Sequence, residues 1–391
     1  MSQTGIQSNY PKSYRMTFII PCGSRNTTMS EEGNNSSGKK YENHFLRSFC
    51  AFIIICITFV HYEPSWVVLN DIRFFHLIEG VGRFAMPAFF MVSGYFLFSS
   101  DGHSENRLGK KLLHIVFLVI FIKLLYLIID LVWLGCGIEH WHDGVVDWNY
   151  VIADTLTAKW NTMPVWFAYC LALVYAFHWI LHKKNISFKY GMYIGLVFVA
   201  IDLLFCEVLL FFDVTEVFGM NCVQLGENAY PFIGMLFFSM GYYLHKYRKE
   251  LDEKFSNEAL IVIFISGFLL SLFEFMYLYQ YYSGGNGSAN LTFGSILLAF
   301  SLFLGSFRLR EDQLRNRTME FMGRELLPWA YGFYMAAILI VRTFLLPALP
   351  SDDIAILDLI GVISAIVLDF LFAYIWWLFL KFTVGRKKTT G

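Results

Sequence analysis

Charge is what this chain has least of. Only 16% of its 391 residues are Asp, Glu, Lys or Arg, against roughly 25% in ordinary soluble domains. The formal net charge is -1, so a whole-chain electrostatic attraction to nucleic acid is excluded. Seven cysteines occur, but no CxxC and no metal-ligand spacing, which leaves neither a zinc site nor a disulfide framework to read. There is no GxSxG to hold a serine nucleophile. There is also no glycine-rich phosphate loop, because GGNG at 284–287 follows no strand pattern. Repeats of 20–50 residues, the mark of solenoids, are missing too.

What fills the chain is apolar: 57% of residues are hydrophobic and 19% aromatic. A helix needs about 20 apolar residues to cross a hydrocarbon core roughly 30 Å thick. About ten such runs can be marked, at 45–61, 74–99, 112–135, 164–181, 190–212, 229–245, 258–281, 291–307, 326–347 and 354–382. The expected fold class is therefore all-α, a polytopic membrane bundle of about ten transmembrane helices.

The loops sort by charge. Lys39, Lys40 and Arg47 precede or open the first run; Arg107, Lys110 and Lys111 fill the second gap; Lys183, Lys184 and Lys189 the fourth. Lys246, Arg248, Lys249 and Lys254 fill the sixth, Arg308, Arg310, Arg315, Arg317 and Arg324 the eighth, and Arg386, Lys387 and Lys388 the tail. The intervening gaps hold only Arg73 and Lys159 as cations, against Glu63, Glu139, Asp143, Asp213, Glu216, Glu227, Asp352 and Asp353. Lys and Arg are retained on the cytoplasmic side, so this alternation supports the count of runs and puts both termini in the cytoplasm of a cell (inner or plasma) membrane. Residues 1–43, rich in Ser, Asn, Gly and Thr, are expected to be a disordered cytoplasmic segment. The membrane domain is expected over 44–383, followed by a basic cytoplasmic tail, 384–391.

Ionisable residues at bilayer depth are costly and face a bundle interior, a partner or water. His76, Glu79 and Arg83 fall on one face of the second run, with Glu79 and Arg83 spaced to pair directly. They build either a polar ligand pocket or a structural ion pair. Lys123, Asp130, Asp202, Glu207, Glu274, Arg342, Asp358 and Asp369 also lie inside apolar runs, as packing partners, interfacial residues or parts of a polar interior. Arg107, Lys110 and Lys111 share one turn, where three cations suit a phosphate-bearing ligand and equally serve to hold the loop inside.

One segment resembles a known family. RFAMPAFFMVSGYFLF at 83–98 is similar to the second-span signature of the acyltransferase-3 family of integral membrane proteins: an Arg, a Val/Met-Pro pair, two Phe and Ser-Gly-Tyr/Phe. HYEP at 61–64, VWFAYCLALVY at 165–175, FFSMGYYLHKY at 237–247 and AYGFYMAAILI at 330–340 resemble further segments of that family in the same order. The resemblance implies a ten-span enzyme that moves an acyl group, acetyl or similar, from cytoplasmic acyl-CoA to a hydroxyl of a cell-surface polysaccharide or glycolipid sugar. It implies the donor as a co-substrate rather than a tightly bound cofactor, and a lipid bilayer and a surface glycan as partners; the residue spacing, for its part, leaves no metal site.

A sugar hydroxyl is a poor nucleophile at neutral pH and needs a positioned base. His61 is the candidate, oriented by Glu63 or by the Glu79–Arg83 pair. Arg47, Arg107, Lys110 and Lys111 are the candidates for donor binding; His76, Trp166, Tyr331 and Tyr334 are those for substrate and tunnel lining. In the family a cation precedes the histidine by eleven residues; here Arg47 and His61 are fourteen apart, which preserves the helix face while moving the ring about 4.5 Å along the axis. Two family histidines are replaced, by Pro164 and Ala337. The replacements fit variation with the acceptor, or a member of the same fold without catalysis. A transporter for a glycan precursor or small anion is the other alternative; against it, no matched pair of interrupted segments is visible.

Overall fold

The computed structural model describes residues 44–62, 67–69, 72–98, 105–135, 165–227, 229–282, 291–308, 316–349 and 354–385. Both the expected N-terminal segment and the tail beyond 385 lie outside them.

The described chain is helical apart from two short hairpins. α1 is His44–Tyr62, and a hairpin of β1 (Val67–Leu69) and β2 (Ile72–Arg73) leads to α2, Phe74–Gly82, and α3, Ala85–Tyr95. A 3₁₀ turn at Glu105–Arg107 opens α4, Leu108–Gly135; α5 is Val165–Lys183. α6, Lys189–Leu203, runs through a π-helical turn at Leu204–Val208. A second hairpin follows, β3 (Glu216–Val217) with β4 (Met220–Asn221), turning through Phe218 and Gly219 at φ 54 and 73, the positive-φ pair that a tight two-residue hairpin requires. Then come α7 (Cys222–Glu227), α8 (Tyr230–Lys246), α9 (Arg248–Lys254), α10 (Asn257–Tyr282) and α11 (Phe293–Ser306). The last part is α12 (Arg317–Phe321) with a π turn at Met322–Leu326, α13 (Leu327–Ile340) with a π turn at Val341–Leu345, and α14 (Ile354–Gly385).

Local sequence explains the boundaries. Thr292 and Ser295 form a reciprocal capping box at the start of α11, and the Asn316 side chain accepts from the amides of Thr318 and Met319 at the start of α12. Proline sits in the first two positions of α8 and α13, where its missing N–H removes no helical bond.

Among the described residues, six helical stretches are long and apolar enough to cross a membrane: His44–Tyr62, Leu108–Ile129, Lys189–Phe211, Asn257–Leu278, Arg317–Ala348 and Ala355–Thr383. They correspond to the first, third, fifth, seventh, ninth and tenth expected runs. The other four are helical as well but shorter or less apolar. The second run, expected as one span, is two helices: it breaks at Arg83 and Phe84, and α3 restarts with Pro87 in its first turn.

α3 is buried along its whole length, and α13 over most of its own, so these two helices form the centre of the bundle. α3 packs on α8, and the closest approach is reciprocal. A Cβ on Gly94 would collide with the Phe238 carbonyl, and one on Gly241 with the Met91 carbonyl. Small residues of this kind let membrane helices approach backbone to backbone. Around this centre α13 packs on α14, α4 on α5, α8 on α6, and α10 on α11. Outward stripes stay apolar: Leu113, Ile120, Leu124 and Ile128 on α4, Ile261, Ile265 and Leu269 on α10, and Ile356, Ile363, Val367 and Leu371 on α14 are all exposed. The molecule is an all-α, multi-pass membrane protein whose exposed apolar stripes face lipid.

Candidate functional site

α1 carries the two residues around which the site is built, Arg47 near its start and His61 near its end. Fourteen residues of helix separate them by about 21 Å.

Arg47 is 2% exposed. Its Nη1 donates to Glu320 Oε1 at 3.3 Å, and the same oxygen lies 3.0 Å from His44 Nδ1 and 3.7 Å from Arg324 Nη1. The guanidinium also lies over the Phe96 ring, 5.6 Å from its centre. This cluster joins α1 to α12, its π turn and the residue that follows α3. Arg47, expected to bind the donor, is thus engaged by an internal carboxylate.

At the far end of α1, the His61 ring stacks on Tyr334 of α13, with centroids 5.2 Å apart and planes at 28°. Aromatic contacts continue inward from there. Tyr334 lies 6.3 Å from Tyr331, Tyr331 5.7 Å from Phe167, and Phe167 6.0 Å from Trp166. His61, Tyr334, Tyr331 and Trp166, four of the residues expected at the site, therefore form one train of rings linking α1, α13 and α5. Tyr126 of α4 holds α13 in place: its hydroxyl donates to the Gly332 carbonyl at 3.1 Å and accepts from the Ala336 amide at 3.3 Å. Arg342 closes the end of α1 by donating to the Tyr62 carbonyl and lying over the Tyr62 ring, 5.0 Å from its centre.

Asp369 of α14 joins this group and was not singled out in the sequence above the other intramembrane carboxylates. It is wholly buried, and neither carboxylate oxygen has a hydrogen-bond partner among the described residues. Tyr334 and the Thr58 hydroxyl are its polar neighbours. The Thr58 hydroxyl donates instead to the Ile54 carbonyl, at 3.0 Å. The sequence signal was present, an Asp within a long apolar run, but nothing in one dimension ties position 369 to position 61.

The remaining candidates are elsewhere. Arg83 Nη2 donates to Glu79 Oε1 at 3.0 Å, as the spacing required, and its guanidinium lies over Phe275 of α10, 5.2 Å from the ring centre. This pair sits at the break between α2 and α3 and is directed at α10, whereas His61 is directed at α13. Glu63 and the side chain of His76 lie outside the described residues. Lys110 lines a cleft of about 450 Å³ between the start of α4 and the end of α5; Lys111 follows it in α4, and Arg107 ends the 3₁₀ turn just before the helix. Pro164 lies outside the described residues; Ala337 is buried in α13.

Two of the other intramembrane carboxylates have structural explanations. Glu274 Oε2 accepts from the Gly294 amide at 2.9 Å, and Glu207 Oε2 from the Phe293 amide at 3.3 Å. Together they cap the positive end of α11. Buried His178 is likewise internal, bonded to the Val174 carbonyl at 2.8 Å and to Ser239 Oγ at 2.9 Å.

A family profile described as an acyltransferase domain matches residues 43–382 of the chain. No curated protein and no solved structure matches it.

Proposed function

The chain belongs to that acyltransferase family, and on this premise we propose that it is a membrane O-acyltransferase that uses cytoplasmic acyl-CoA and acylates a hydroxyl of a cell-surface polysaccharide or glycolipid sugar. The observation that carries the reading is the His61–Tyr334 stack at the end of a train of buried rings. It gives an imidazole a fixed orientation at the end of α1, against a series of aromatic side chains.

In the proposed reaction His61 accepts the proton of the sugar hydroxyl as its oxygen attacks the thioester carbonyl. The C–S bond then breaks, the thiolate leaves, and the imidazolium returns the proton to it. The products are the sugar ester and free coenzyme A, and His61 is regenerated. Tyr334 holds the imidazole plane, and Asp369 lies near Tyr334 on α14. Trp166 and Tyr331 line the route. Glu63 and His76 keep their proposed parts in orienting the base and the acceptor, and Arg107, Lys110 and Lys111 meet the donor.

The proposed topology has ten spans, with both termini cytoplasmic in the cell membrane, an N-terminal segment 1–43, a membrane domain 44–383 and a basic tail. It is supported by the alternation of basic and acidic loops along the sequence. Mass spectrometry of surface glycans from cells with and without the gene tests the function. Loss of one acyl unit per modified sugar in its absence is expected; identical glycans would refute the reading.

A further inference from the structure

The cleft between α4 and α5 is built by a rigid corner. α5 ends with the Asn185 amide donating to the His182 carbonyl at 3.1 Å and the Ile186 amide to the Leu181 carbonyl at 2.8 Å, with Asn185 at φ 54. This is the paired closing motif of a helix C-terminus, with asparagine in the left-handed position. It fixes His182 and Lys183 on one wall. Gly109 and Lys110, in the first turn of α4, make the other, and Trp179 forms the floor. A Cβ on Gly109 would stand 3.0 Å from Trp179 Nε1, so the bare glycine is what lets the indole lie against α4.

The lining is chemically one-sided. Among the described residues it consists of two amines, an imidazole, an amide, an indole and a glycine, without a carboxylate. The volume of about 450 Å³ falls in the range of small-molecule clefts. The indole is partly exposed and stacks on no other ring among the described residues. The lipid-facing stripe of α4 begins only at Leu113, one turn further on. The cleft therefore sits at the edge of the apolar band, on the side where the basic loops lie.

We propose that this cleft binds the phosphate-bearing nucleotide end of the acyl donor, with Trp179 stacking the base and Lys110, Lys183 and His182 meeting the phosphates. The inference rests on the acyl-CoA reading above and adds α5 to the donor site. An anionic lipid headgroup offers the same phosphate chemistry, and interfacial tryptophans often accompany headgroups; the indole's free face favours the nucleotide.

The test uses the full-length chain in nanodiscs, titrated with coenzyme A and with adenosine 3′,5′-bisphosphate, in zwitterionic and in anionic lipid. Trp179→Ala should weaken both ligands about tenfold, the loss of one base stack. Lys183→Gln, at an exposed position that leaves folding intact, should weaken both about three- to fivefold. Lys249→Gln, an exposed cation on α9, should change neither. Wild-type affinity in both cleft variants would overturn the assignment while leaving the acyl-CoA reading in place. A Lys183→Gln change that alters only anionic-lipid retention would overturn it in favour of a headgroup site. A wild-type protein that binds no coenzyme A would remove the acyl-CoA reading and this inference together.

Discussion

His61 and Tyr334 lie ring on ring, with centroids 5.2 Å apart, although 273 residues separate them in the chain. The contact brings the last turn of α1 onto the central helix α13. Replacing the phenol by a ring of the same shape separates stacking from hydroxyl chemistry. Tyr334→Phe should retain most acyl transfer, because the stack survives. Tyr334→Leu should lower it by about tenfold or more, as the imidazole loses its fixed plane. Initial rates from radiolabelled acyl-CoA in membranes measure both.

Asp369 presents the opposite case, a buried carboxyl group without a hydrogen-bond partner among the described residues. A buried polar group left unsatisfied costs about 1–3 kcal/mol. Asp369→Leu should therefore raise the thermal midpoint in detergent while acyl transfer falls. A leucine variant that is both less stable and fully active would show that the carboxyl serves only packing.

Glu320 holds three cationic or protonatable groups around one oxygen. Removing Arg47 leaves the carboxylate buried with less compensation, a change that costs about 3–5 kcal/mol when a buried pair is broken. Arg47→Met should lower the thermal midpoint sharply, and the double change Arg47→Met with Glu320→Leu should recover most of it. Because His44 and Arg324 remain beside Glu320, the loss is expected at the lower end of that range. Fluorescence-detected gel filtration after heating reads the outcome.

Much of this architecture is written in the sequence, but unevenly. Apolar runs and loop cations marked helices that the structure contains, since both are local properties. The break in the second run was hidden: hydrophobicity continues through Arg83 and Phe84, and only Pro87, in the first turn of α3, hints at a restart. The Glu79–Arg83 pair was legible because one helix turn brings the two together. Glu207 and Glu274 looked like candidates for a polar interior, and they prove to cap α11, a partner encoded far away in the chain. His61 was found through a short motif, whereas Asp369 joins it only through the packing of α14 on α1. Trp179 was one aromatic among many until Gly109 set it beside a basic turn.

The proposed topology has a direct test across α8, whose 17 residues span about 26 Å, close to the core thickness. Phe218, 92% exposed on the β3–β4 turn, and Lys249 on α9 lie on either side of it in sequence. Phe218→Cys should react with an impermeant maleimide added to intact cells, and Lys249→Cys only after permeabilisation. Equal labelling of both from outside would mean that α8 does not cross.

The most direct measurement is the acyl content of surface glycans from cells that lack the gene and carry either the wild-type chain or His61→Ala, matched for protein in the membrane. A base supplying proton transfer contributes about 10²- to 10⁴-fold. The account therefore predicts wild-type glycans with the added acyl mass and His61→Ala glycans indistinguishable from those of cells without the gene. Full acylation by His61→Ala would contradict it.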